Sequence, residues 1–189
     1  PGVASLFVEI APGMAVHGLM DVALKKTNAQ PATLVVERAY GTLELHHENQ
    51  GEVHQAGAEI LHAMGTKIDD RLKPKVVSNT TIRGIQPMHA MIIDKIRFGS
   101  MIKPGDSLFI METEPAAYVA FAANEAEKAA NITLVDVTPF GAYGRLYLTE
   151  KLGGGDFTED DEEVVTLVAA QAAVAIENAR LYEDIRRKE

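Results

Sequence analysis

The chain of 189 residues holds 6 histidines and 27 acidic residues but no cysteine, so a metal centre or acid–base site would have to be built from imidazole and carboxylate. His46, His47, His54 and His62 are the candidate cluster. His46 and His47 are adjacent, and on a strand adjacent side chains point to opposite faces, so the two cannot share one ion. His54 and His62 fall on one side of a helix predicted over 52–64, but about 12 Å apart by helical rise. No third ligand completes a site, and neither a metal nor another cofactor is expected. The absence of cysteine also excludes disulfides, thiolate metal sites and cysteine-held iron–sulfur clusters. Gly153-Gly154-Gly155 is followed by acidic residues rather than by Lys, which repels phosphate instead of cradling it. With no GxSxG, no HExxH and no phosphate loop, the chain is not expected to be an enzyme.

The elements that would carry these residues form a repeat. Leu108–Met111 reads as an apolar strand and is followed by an alanine-rich helix over about 115–130. A second strand (Ile132–Val137), a glycine-containing turn (Pro139–Gly144) and a third strand (Arg145–Leu148) complete a βαββ unit. Its helix shows Ala116, Val119, Ala120, Ala123, Ala126, Ala129 and Ala130 at three-to-four spacing, a face laid closely on a sheet. Phe7-Val8-Glu9 matches Ile110-Met111-Glu112 at a separation of 103 (112 − 9). Pro12, Lys25 and Asn28 then fall on Pro115, Lys128 and Asn131. Past the helix, Thr33-Leu34-Val35 matches Thr133-Leu134-Val135 at 100 (133 − 33), which predicts three extra residues in the first copy around 29–32. A period this long fits two small domains in tandem. Glu9 and Glu112, being equivalent, read as polar strand ends rather than as an acid and its base.

Hydrophobic content of 47% and charged content of 24% lie in the globular range. A net charge of −9, without a basic stripe, argues against nucleic acid as a partner. No apolar run reaches membrane-spanning length, and the start lacks a signal-peptide pattern, so a soluble cytoplasmic protein is expected. Thr33–Glu37 and Thr42–His46 read as strands joined by Arg38-Ala39-Tyr40-Gly41, with Gly41 available for a positive φ. Val3–Ile10 is apolar on both faces, as an inner strand would be. Gly65 is placed to cap the helix over 52–64.

The run METEPAAYVAFAANEAEKAANITLVDV resembles the bacterial microcompartment shell domain, known as the BMC domain, and FVEIAPGMAVHGLMDVALKKTN keeps the same pattern without the alanines. The resemblance covers roughly residues 3–148. It implies an α+β fold (an α/β sandwich) of two tandem ferredoxin-like BMC domains, antiparallel sheets with helices on one face. It also implies a homotrimer that forms a pseudohexameric tile, joins other shell proteins in the microcompartment shell and passes small metabolites through a central pore. In the resembling family the hairpin turns line that pore, which here means Arg38, Ala39, Tyr40, Gly41 and Thr42, with Pro139, Phe140, Gly141, Ala142, Tyr143 and Gly144. The aromatics Tyr40, Phe140 and Tyr143 would be wet on a lone monomer and covered in a ring. The resemblance also puts Lys25, Lys128, Asn28 and Asn131 at the tile edge. The plainer account of Lys25 and its neighbour Lys26 is a helix C-terminus whose dipole favours cations.

The expected division is residues 1–65 for the first domain, 66–106 for a linker and inter-domain segment, and 107–148 for the second domain. Residues 149–189 depart from the shell pattern. Their run DFTEDDEEVVTLVAAQAAVAIENARLYE resembles the end of a GAF domain, with Thr158 and Asp161 as a capping box for a long C-terminal helix. That resemblance implies an alternative, a GAF-type sensory or ligand-binding signalling module.

Overall fold

The computed structural model describes residues 2–150. They divide into two compact units, residues 1–72 with Phe140–Ala142, and residues 73–139 continuing from Tyr143. The predicted tail helix and the GAF-like run lie outside the described residues.

In the first unit, strand β1 (Ala4–Ile10) leads through a 3₁₀ turn (Gly13–Ala15) into helix α1 (Val16–Lys26). Strands β2 (Gln30–Glu37) and β3 (Tyr40–His47) and helix α2 (Gln50–Met64) follow. The sheet order is β1-β3-β2, antiparallel throughout. Alternation along the strands sends Leu6, Val8, Ile10, Leu34, Leu43 and Leu45 to one face, where Val16, Leu19 and Ala23 of α1 and Ala56 and Ile60 of α2 pack on them. Asn49 caps α2 by accepting from the Gly51 N–H (2.9 Å). Gly65 ends it in the left-handed conformation (φ 65°), as its position suggested.

The second unit contains β4 (Lys75–Ile82), α3 (Pro87–Ile96), β5 (Leu108–Glu114), α4 (Tyr118–Ala129), β6 (Ile132–Thr138) and β7 (Gly144–Glu150). Its antiparallel sheet runs β4-β5-β7-β6. Phe109, Met111, Leu146 and Leu148 face Val119, Ala122, Ala123 and Ala126 of α4. The alternate residues Leu108 and Ile110, with Val135 and Tyr147, face Ala90 and Ile93 of α3. The first sheet thus carries its helices on one face, while the second has α4 on one face and α3 on the other.

Two expectations change here. Residues 66–106 were read as linker and inter-domain segment, yet from Lys73 onward they belong to the second unit, because β4 pairs with β5 from Lys75↔Glu114 to Ile82↔Leu108. The edge polar groups of β5 need a partner strand, and β4 supplies it. β1, expected as an inner strand, is an edge strand among the described residues. Its apolar residues are accounted for by the helices that cover one face.

The repeat is also stricter than the sequence match suggested. Val35↔Thr42 in the first sheet corresponds to Thr138↔Arg145 in the second, a separation of 103 on both strands (138 − 35 and 145 − 42). The β-bulge between Pro31 and Thr33 recurs between Leu134 and Asp136 at that separation. There is no three-residue insertion around 29–32. The two Thr-Leu-Val strings are coincident in type but not in place, since pairing is set by register and not by local composition.

Candidate pore turns and tile edge

At the constant separation, Arg38 falls on Gly141, Ala39 on Ala142, Tyr40 on Tyr143 and Gly41 on Gly144. Arg38 (φ 54°) and Gly141 (φ 100°) both sit in the left-handed region. The positive φ that the sequence assigned to Gly41 is therefore carried by Arg38. Gly41 is glycine for a different reason: a Cβ there would run into the backbone carbonyl of Gly13 and the side chain of Val16. Gly144 meets the same obstacle in Ala116 and Val119. In both units the start of the helix rests against the first residues of the third strand, and Gly13 N–H donates to the Ala39 carbonyl (2.8 Å) to close the first of these contacts.

This packing sorts the candidate lining residues. Arg38, Ala39, Tyr40, Ala142 and Tyr143 are exposed, and Pro139 and Phe140 are half-buried. Gly41, Thr42, Gly141 and Gly144 are buried and shape the turns from below. Repeat alignment at constant spacing was the signal that would have shown Arg38 opposite a glycine.

The edge candidates are all exposed. Lys25 reaches back to Asp21 (2.7 Å), and Lys128 to Glu125 (2.8 Å). Both pairs lie on the surface and contribute little stability. Asn28 has an internal task that sequence did not reveal: its backbone N–H and side-chain amide donate to the two Glu52 carboxylate oxygens (2.8 and 3.3 Å), joining the end of α1 to the start of α2. The Asn28 backbone bond, followed by the side-chain bond, holds the Glu52 carboxyl below the ordinary glutamate range. A depressed carboxylate pKa adds stability that is present above the unfolded value and is lost as pH falls through the folded one. The Glu52 carboxyl followed by NMR should titrate below ordinary glutamates, and Asn28→Ala, which removes the side-chain bond and keeps the backbone one, should raise it part of the way towards their range. A midpoint that ignores the substitution would remove the clamp.

Of the histidines, His47 accepts the Asn49 N–H at Nδ1 (2.9 Å), and His54 and His62 lie exposed on α2. Among the described residues no three His, Cys, Asp or Glu side chains gather into a metal-binding group, and no helix is long and apolar enough to cross a membrane.

Among the described residues, a duplicated α+β module with matching turns and closely laid helices defines the tandem-domain class. The family described as the CsoS1D N-terminal domain matches residues 1–70. The carboxysome shell protein CsoS1D of Hydrogenovibrio crunogenus is 52% identical over 84% of this chain and 77% of its own length. The carboxysome shell protein CcmP of Synechococcus elongatus is 45% identical over 93% of this chain and 77% of its own. Among solved structures, the double ringed trimeric shell protein MSM0271 from the RMM microcompartment is 38% identical, with a TM-score of 0.81 over 92% of this chain and 83% of that one. The fused permuted hexameric shell protein MSM0275 is 37% identical, with a TM-score of 0.79 over 93% of this chain and 85% of that one. The chain belongs to the family of tandem-domain bacterial microcompartment shell proteins that includes CsoS1D and CcmP. Its role is structural, in the microcompartment shell, as the resemblance implied. These relatives are shell proteins and not enzymes, and they lend no support to the sensory alternative.

Proposed function

We propose that three copies of this chain close into a flat pseudohexameric tile, pierced at its centre by a pore through which small metabolites cross the shell. Each unit contributes its hairpin turn to that pore. The observation that carries the proposal is the constant repeat, which presents Tyr40 and Tyr143 at equivalent, exposed turn positions, the arrangement that six near-equivalent units around one axis require. Arg38 is the one charged side chain among the exposed turn residues. Three guanidinium groups around a narrow opening would favour anionic metabolites over cationic ones. Lys25 and Lys128, exposed near helix ends, meet the neighbouring tile, and Asn28 and Asn131 flank them. The trimeric and hexameric shell proteins of similar fold support this arrangement.

The purified chain should sediment near 61.5 kDa (3 × 20.5) and form sheets visible by electron microscopy, with a hole at the centre of each tile. The double change Lys25→Ala and Lys128→Ala should abolish the sheets and spare the trimer. Unchanged sheets would remove the rim assignment, and a monomeric wild type would remove the tile.

A further inference from the structure

The second unit carries a charged pair beside its turn that nothing described above uses. Strand pairing sets three residues in one row at the end of the sheet. Lys75 of β4 pairs with Glu114 of β5. On the other side of β5, Thr113 pairs with Gly144 of β7, so the preceding Tyr143 comes opposite Glu114. Neighbouring strands lie about 4.8 Å apart, which puts Glu114 about 5 Å and Lys75 about 10 Å across the sheet from the turn aromatic. Glu114 is in step with Leu108 and Ile110 along β5, so the row lies on the face where α3 packs. Lys75 and Tyr143 are nevertheless exposed, and Glu114 is half-buried.

Lys75 Nζ donates to Glu114 Oε2 at 2.7 Å. That hydrogen bond first, then the Glu114 charge and to a smaller extent Tyr143, hold the Lys75 ammonium above the ordinary lysine range. Lys75 is thus within electrostatic reach of the turn. The first unit has no such carboxylate, since Ala11 stands where the repeat places Glu114 (114 − 103). In the next row of the second unit, Glu112 accepts from the Ser78 hydroxyl (2.6 Å) and pairs in register with Arg145, so that row also carries one charge of each sign. An exposed ion pair adds little stability. What the pair of Lys75 and Glu114 does is cancel two charges beside the turn.

We propose that Lys75 and Glu114 are selectivity-determining residues of the pore, holding the second unit's part of its mouth electrically neutral and leaving Arg38 of the first unit to set the sign of what passes. This rests on the tile and pore proposed above. Charges closer to the opening than a Debye length, about 10 Å at 0.1 M salt, act on the ions that enter it. Removing one partner uncovers a like charge in each of three copies around one axis.

Single tiles of the full chain in a planar lipid bilayer, with potassium chloride more concentrated on one side, test the assignment through the reversal potential. Glu114→Gln should raise the chloride-to-potassium permeability ratio by about threefold or more, and Lys75→Gln should lower it as much. The exchanged pair, Lys75→Glu with Glu114→Lys, should return the wild-type ratio, which a mere disturbance of the turn would not do. Both single shifts should shrink at about 1 M salt, where the Debye length is about 3 Å. Thermal melting should find all of these variants folded, because the pair is exposed. Wild-type reversal potentials in both single variants would overturn the assignment, and so would an exchanged pair that behaves like either of them. A wild-type trimer without conductance would instead overturn the pore, and a wild-type monomer the tile.

Discussion

Gly144→Ala should destabilise the second unit by about 2–3 kcal/mol, lowering the melting temperature by roughly 5–10 °C. The new methyl group would meet the Ala116 carbonyl oxygen, with the Thr113 hydroxyl and the Val119 Cβ each 2.8 Å away. Two of those three obstacles belong to the chain entering α4, so the methyl can be accommodated only by lifting the helix off the sheet. Such movement separates Val119 and its neighbours from Met111 and Leu146, which are fully buried. Gly41→Ala should behave alike, because Gly13 and Val16 close on it in the same way. Gly18→Ala is the control: an added Cβ there meets nothing within 4 Å, and Gly in a helix costs about 0.5–1 kcal/mol relative to Ala, so that variant should gain stability. Denaturant unfolding measures all three. A Gly144→Ala midpoint equal to the wild type would show that the helix start is free to move.

Phe109→Ala is expected to have the larger effect, about 3–5 kcal/mol. Phe109 is fully buried on β5, an inner strand with β4 and β7 on either side, and its ring fills the space under α4. Removing it leaves a cavity that flanking strands bound in register cannot collapse to fill. The repeat supplies the comparison, since Phe109 corresponds to Leu6 (109 − 103). Leu6 is only half-buried on an edge strand, so Leu6→Ala should cost about half as much or less. If the two substitutions cost the same, the difference between inner and edge strands would carry no energetic weight.

Much of the architecture was written in the residues. Three-to-four spacing on the two helices, alternation on the strands and the run Met-Glu-Thr-Glu-Pro were enough to recognise a doubled shell module, because these patterns report which face of each element must be dry. The cap at Gly65 was equally legible, since caps depend on a few adjacent residues, whereas the N-terminal cap at Asn49 was not read from the sequence. Placing the turns was harder. The matching Thr-Leu-Val strings invited a shift of three residues, and only strand register showed that the copies keep one spacing to the end. The bond from Asn28 to Glu52 was not legible, because Glu52 lies 24 positions away and on another element.

What sequence determined by itself is the class of protein: duplication, two apolar faces, no cysteine and no catalytic group are properties of residue type and order. Tertiary structure decided which glycine serves a close approach and which neighbour serves a positive φ, how the stretch after residue 72 joins the second sheet, and which apolar side chains stay in water. Those outcomes depend on distances between segments far apart in the chain, and such distances exist only after the backbone hydrogen bonds of the sheets have been chosen.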